Sequence, residues 1–397
     1  MNVLELAGQR VLITGATGFI GGRLVETLAL SGQVQIAALV RNLARAPRIA
    51  CFPIELIAGD VINLEEIKRA VRGCQVVFHC AYDNAGPGQA NVKATRNVLE
   101  AAAAAGVRRM VYVSTIEVYE PVSGPLTERS ARYTGKSMYA AAKLEAERLV
   151  LAEGLRLGLE VSVIQPAVVY GPYGAAWTVR PLREMATGQV VLVDGGVGAC
   201  NAVYIDDVVA ALLLAATRRE AIGEAFLISA AKPVTWADFY GAYEGMLGRQ
   251  TLVSVSAEEV RSQQGGNGKV GTLTYLARLW RDDPNFRREL RNTSTVQTLY
   301  KVGRQILPSE RWQRIRSQVG VSDIAPPPVK VNGHTAVAST IHWPSSAIID
   351  LMLRQTQVDI SKARHLLGYQ PYYSLAEGME LTAAWARWSG LVSSGWQ

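Results

Sequence analysis

The sequence predicts an α/β fold, a doubly wound parallel sheet followed by a smaller α/β lobe that carries a helical insertion. Three observations predict it. Short apolar runs alternate with helical patterns to about residue 172, which calls for parallel strands joined by crossover helices. Gly15, Gly18 and Gly21 punctuate the first strand-to-helix turn. Tyr170-Gly-Pro172 follows a buried run, Ser162 to Gln165, at the kind of strand end where such sheets bind ligands.

The first strand, Leu6 to Ile13, leads into Thr14-Gly-Ala-Thr-Gly-Phe-Ile-Gly21, and from Phe19 a helical pattern (Ile20, Leu24, Leu28) runs to Ser31-Gly32. The glycine spacing has a mechanical reason. The first permits a tight turn, the second lets backbone approach a pyrophosphate, and the third lets the helix pack on the strand, whose N-terminus favours phosphate. Val34 to Val40 is a second strand ending at Arg41, with Arg45 and Arg48 close behind. An acidic residue there would suit a ribose 2′-hydroxyl, whereas arginine suits a 2′-phosphate. Arg41 therefore favours NADP over NAD, unless it is a solvated loop residue. After the third strand, Ile54 to Ala58, Asp60 of Gly59-Asp60-Val61 can accept from an adenine amino group or cap the helix Leu64–Val71.

Gln75 to His79 is the fourth strand, followed by Cys80-Ala81-Tyr82 and a loop with Gly86-Pro87-Gly88; His79 in this apolar strand reads as a satisfied core histidine. Asn91 opens the way into an alanine-rich helix ending at Gly106, and a fifth strand, Met110 to Val113, runs into Ser114-Thr-Ile-Glu-Val-Tyr119. Tyr139 and Lys143 follow, four apart and so on one helix face. A nearby ammonium favours phenolate, which predicts a tyrosine pKa lowered toward the range useful for proton transfer, with Thr115 able to bind the same substrate oxygen.

Beyond 172 the pattern predicts a helix at Pro181-Leu-Arg-Glu-Met185, a loop over Val190 to Gly198, and a helix from Val208 to Thr217. A strand at Ala225 to Ser229 and a threonine-capped helix Thr235–Leu247 come next, and a last helix covers Glu377 to Trp388. Asp206 and Asp207 could form a carboxylate dyad, but a structural link between lobes is the better reading. From about Val253 to Leu351 the chain looks inserted: Gln263 to Lys269 reads as a loop, and Thr272–Leu290 and Val296–Ile315 as basic helices. Those helices could lie on an anionic membrane, cover the substrate cleft and bind a diphosphate, or simply pack as a lid with arginines to solvent.

The net charge of +7 is compatible with anionic ligands, but no aromatic-interleaved RNA motif or helix-turn-helix pattern accompanies it, so nucleic acid is not an expected partner. The four cysteines lack metal-finger or redox spacing, which predicts reduced thiols and no metal site. The start of the chain runs directly into the first strand and no run reaches membrane-spanning length, so a cytoplasmic, soluble protein is expected.

Taken together, Thr14–Gly21, Gly59-Asp60, His79-Cys-Ala81, Asn91, Ser114–Tyr119 and Tyr139–Lys143 resemble an extended short-chain dehydrogenase/reductase. Gln165–Pro172, Val203–Val208, Asp359–Arg364 and Leu367–Pro371 extend the likeness toward NAD(P)-dependent epimerases and dehydratases, most of which act on nucleotide sugars. The resemblance implies a Rossmann-type dinucleotide domain at 1–172, with returning elements near 200–230, and a substrate lobe at 173–397. It implies Thr115, Tyr139 and Lys143 as the catalytic set. Gly15, Thr17, Gly18, Phe19, Ile20, Gly21, Arg41, Asp60, Val61, Cys80, Ala81, Asn91, Ser114, Pro166 and Val168, with Tyr139 and Lys143, would bind the dinucleotide. Tyr82, Thr115, Glu117 and Asn201 would bind substrate, and a homodimer is implied.

One departure narrows the reaction. Where nucleotide-sugar 4,6-dehydratases carry an Asp-Glu pair, this chain has Ile116-Glu117, and isoleucine cannot donate a proton. Epimerisation of a nucleotide sugar through a transient ketone is the first expectation. Net reduction or oxidation of a keto sugar, sterol-like alcohol or flavonoid-like ketone is the second, and a non-catalytic dinucleotide sensor the third.

Overall fold

The structure is a computed structural model that describes residues 3–135, 137–267 and 340–392. Strands β1 (Arg10–Thr14), β2 (Gln35–Val40), β3 (Glu55–Ala58), β4 (Val76–His79), β5 (Arg109–Val113), β6 (Glu160–Pro166) and β7 (Ala225–Ile228) form one sheet, order β7-β6-β5-β4-β1-β2-β3. Every pairing in it is parallel. β4 and β5 are buried along their whole length, as apolar strands covered on both faces must be. On one face Leu24, Val25 and Leu28 of helix α1 (Phe19–Ser31) share a core with the helix Ile205–Thr217. On the other, α2 (Leu64–Ala70), α3 (Gly88–Ala104) and α4 (Met138–Leu157) cover the sheet.

The register gathers the chemistry at one edge. Thr14 lies opposite both Leu39 and His79, Val40 opposite Ala58, and Val113 opposite Ile164. The residues that follow these strand ends are Gly15, Arg41, Gly59, Cys80 and Ser114-Thr115. β1 pairs with β2 on one side and β4 on the other, so the chain reverses direction across the sheet between them, the point where open α/β sheets form a crevice.

Two expectations about the second half are corrected. The loop expected over Val190 to Gly198 begins instead as a strand, Gly188–Val193, flanked in parallel by Leu252–Val255 and Thr340–His342. Its Val-Val-Leu-Val run is buried, and both partners are remote in sequence, so nothing local announced the pairing. The chain divides into two compact units, residues 1–256 with 340–397 and residues 257–339, and those flanking strands belong to the first. Of the second unit the helix Ala257–Asn267 is described. The expected helices Thr272–Leu290 and Val296–Ile315 lie outside the described residues. The helix expected from Val208 starts at Ile205, which puts Asp206 and Asp207 in its first turn.

Both of those carboxylates tie elements together. Asp206 takes two hydrogen bonds from the Arg23 guanidinium on α1, and Asp207 accepts the backbone N–H groups of Tyr372 and Tyr373. All four cysteines are free thiols; Cys74 and Cys200 are buried and Cys51 is exposed. Among the described residues no helix is long and apolar enough to cross a membrane.

Candidate active site

A cavity of about 350 Å³ opens at the carboxyl edge of the sheet. Gly15, Thr17 and Gly18 line it, with Leu39, Arg41, Asp60, Val61 and Ile62 on one side and Cys80, Ala81, Tyr82, Asp83 and Asn91 on the other. Gly15 has φ +69°, and a Cβ there would come within 2.6 Å of the Ala81 backbone nitrogen, so only glycine lets the β1 and β4 turns approach. A Cβ on Gly21 would collide with the Gly15 carbonyl, which is the close helix packing expected of a third glycine. Gly18 heads α1 with no side chain capping it, leaving the first-turn N–H groups to an anion. Phe19 and Ile20 are half-buried in that first turn, Ile20 against the core. Glycine backbone, an apolar wall and Asp60 together fit a dinucleotide.

At the far end of this cavity Arg41 does not stand alone. Its Nη1 is 2.8 Å from Asp83 Oδ2 and 4.0 Å from Asp60 Oδ2. Asp83 was not anticipated, because its partner lies 42 residues away and no motif surrounds it. The Arg41 hydrogen bond holds the Asp83 carboxyl below the usual carboxylate range. Asn91 acts on the same loop: its amide accepts from Asp83 N at 2.8 Å and donates to Asp83 O at 3.0 Å.

Tyr139 and Lys143 meet beside Tyr82, and the Thr115 hydroxyl bonds to the Tyr139 phenol. Thr115 follows fully buried β5 and caps the turn Ile116–Val118, accepting from Glu117 N at 3.3 Å. Ser137 caps α4, accepting from Ala140 N at 3.2 Å, and so places Tyr139 in the first turn. There the positive end of the helix favours a phenolate. One turn on, Lys143 is buried and donates from Nζ to the Val113 carbonyl at 2.8 Å. Its ammonium lies 4.5 Å over the Tyr82 ring, and the same ring meets Tyr139 edge-on at 5.1 Å between centroids.

The expected lowering of the Tyr139 pKa is not what this environment produces. Burial pushes the phenol up and the Glu117 carboxylate adds to it, while the Thr115 hydroxyl opposes. Burial also pushes the Lys143 ammonium down to about 7, so its charge is only partly present at neutral pH and does not reverse the effect. Desolvation holds the Glu117 carboxyl above the usual carboxylate range, with Arg354 opposing. Ile116 is half-buried against an apolar cluster, so it has no polar part in the site.

Other expected residues have partners elsewhere. Ser114 donates its hydroxyl at 2.8 Å to Glu147, a buried carboxylate that also accepts from Gln165 Nε2 at 2.8 Å and pairs with Arg132 at 2.9 Å. Glu147, one turn beyond Lys143, raises that ammonium's pKa against the burial and was not anticipated. Asn201, expected to bind substrate, is buried; its amide donates to Thr356 O at 2.8 Å and accepts from Val358 N at 2.9 Å. Its side chain is committed to holding the strand Thr356–Val358. Pro166 ends β6, and Val168 begins the buried strand Val168–Tyr170, paired in parallel with Ala202–Tyr204. His79 is buried between Thr14 Oγ1 at 2.7 Å and Thr95 Oγ1 at 3.1 Å. Burial and the nearby Lys143 push it down to about 3.

The sequence pattern of the NAD-dependent epimerase/dehydratase family matches residues 11–229. A 4-hydroxy-2-methyl-3-oxo-4-farnesyl-3,4-dihydroquinoline-1-oxide ketoreductase of Stigmatella aurantiaca is 31% identical over 246 residues, 58% of this chain and 71% of that protein. A 2-alkyl-3-oxoalkanoate reductase of Shewanella oneidensis is 28% identical over 259 residues, 60% of this chain and 66% of that protein. The crystal structure of dTDP-glucose 4,6-dehydratase from Bacillus anthracis in complex with NAD superposes with a TM-score of 0.65. It is 17% identical, covering 97% of this chain and 99% of that one, a likeness of fold.

Proposed function

The chain belongs to the NAD-dependent epimerase/dehydratase family, within the extended short-chain dehydrogenase/reductases that bind NAD(P), and we propose that it reduces a ketone to a secondary alcohol. The observation that carries this reading is that Tyr139 and Lys143 both meet Tyr82, which also lines the glycine-loop cavity, with the Thr115 hydroxyl beside the Tyr139 phenol. Gly15, Thr17 and Gly18 would hold the pyrophosphate, Asp60 and Val61 the adenine, and Cys80, Ala81, Pro166 and Val168 the nicotinamide half. When bound, NAD(P) supplies or accepts the hydride.

This chain's own part is proton handling and positioning. The Thr115 hydroxyl donates to the substrate oxygen, and the Tyr139 hydroxyl delivers a proton to that same oxygen. A phenol kept protonated by burial suits an acid, the role that ketone reduction requires. Lys143, fixed on the Val113 carbonyl, favours the phenolate left behind. The ketoreductase and oxoalkanoate reductase relatives support net reduction.

Epimerisation of a nucleotide sugar is the second reading, favoured by the motif resemblance that continues from Gln165 to Pro371. It uses the same three residues, the alcohol first losing its proton to Tyr139. The two separate by following NAD(P)H absorbance with β-keto acids, steroid ketones and nucleotide sugars. Stoichiometric consumption with a ketone supports reduction; conversion of a nucleotide sugar with no net absorbance change supports epimerisation. Turnover of nothing offered, with dinucleotide still bound, leaves the sensor reading. The proposal includes a cytoplasmic homodimer with α4 in its interface; a sedimentation mass of one chain contradicts that dimer.

A further inference from the structure

We propose that Asp83 sets the choice between NAD and NADP by holding Arg41 away from a 2′-phosphate, so that the chain takes NAD. The inference rests on reading the glycine-loop cavity as a dinucleotide site. Arg41 follows β2, where it is placed to read the ribose. In that position an arginine fork suits a 2′-phosphate. Here the guanidinium is already engaged at 2.8 Å by Asp83, with Asp60 at 4.0 Å.

Asp83 is a built counter-ion rather than a chance surface contact. Its backbone N–H and carbonyl are both held by the Asn91 amide, and its Oδ1 accepts from Ala85 N at 3.0 Å. The fixed partner is therefore the carboxylate, and the long arginine side chain is the part that adapts. Both aspartates line the cavity with Arg41. A phosphate of nearly two negative charges arriving there would have to displace one carboxylate and lie beside another, whereas a 2′-hydroxyl can donate to either. Arg45 is the other cation lining the cavity. Its contribution is common to both variants compared below.

The test is calorimetric titration of the full chain with NAD and with NADP, and with AMP and 2′-AMP as probes of the adenosine end alone. The parent chain is expected to bind NAD at least about tenfold more tightly than NADP, and Asp83→Asn to shift the ratio of the two affinities by about tenfold toward NADP. Asp83→Ser, checked for an unchanged circular dichroism spectrum, should behave alike. A preference unchanged in both variants, or a parent that prefers NADP, overturns the inference alone. Failure of the parent to bind either dinucleotide overturns the site reading beneath it.

Discussion

Lys143 donates its buried ammonium to the carbonyl of Val113, the last residue of β5, across 2.8 Å. The bond fixes the end of α4 that carries Tyr139 against the strand end that carries Thr115. It also commits a cation to a nearly dry position, and burial lowers its pKa to about 7 against an ordinary 10.5.

That depressed pKa makes stability depend on pH. Between about 7 and 10.5 the unfolded chain holds the Lys143 proton and the folded chain has released it, so the residue's stability contribution rises with pH and falls as pH drops toward 7. The parent's unfolding free energy should therefore gain about 1.4 kcal/mol per pH unit relative to Lys143→Met between roughly pH 7 and 9. Urea unfolding of both proteins across that window checks it; parallel curves would refute the assignment.

Gly15→Ala should lose dinucleotide binding. The substitution places a methyl group within 2.6 Å of Ala81 N at φ +69°, a strain of about 1–3 kcal/mol unless the β1 and β4 turns separate. Either response spoils the cradle. Calorimetry showing unaltered NAD affinity would mean the cavity is not where the pyrophosphate sits.

Asn201→Ala should weaken the fold rather than substrate recognition. It leaves Thr356 O and Val358 N without their side-chain partner in a buried setting, at a cost of about 2 kcal/mol in the unfolding free energy. KM for the preferred ketone should stay within about twofold if that cost stays structural. A large rise in KM with unchanged stability would return Asn201 to the substrate site.

The parts of this molecule that were legible in the sequence are those with local causes. Strand–helix alternation announced the parallel sheet, and the Gly15, Gly18, Gly21 spacing announced the turn at its centre. The four-residue interval announced that Tyr139 and Lys143 share a helix face. What escaped depends on remote partners. The strand Gly188–Val193 is defined by segments more than fifty residues further on. Asp83 matters only because Arg41 reaches it, and Glu147 only because Ser114, Gln165 and Arg132 converge on it. Asn201 shows the converse. Motif resemblance located it beside the site, but the hydrogen bonds that occupy its amide belong to a strand 155 residues away. The Tyr139 pKa is not legible in the sequence, because spacing reveals an ammonium neighbour and says nothing of how dry the neighbourhood is.

The central claim is that the Tyr139 hydroxyl supplies the proton for ketone reduction. It is tested most directly by steady-state NAD(P)H consumption of Tyr139→Phe with the best ketone of the panel, alongside dinucleotide affinity on the same preparation. The account predicts a fall in kcat of about 10²–10⁴-fold with dinucleotide affinity changed less than about threefold. Turnover within about threefold of the parent would contradict it.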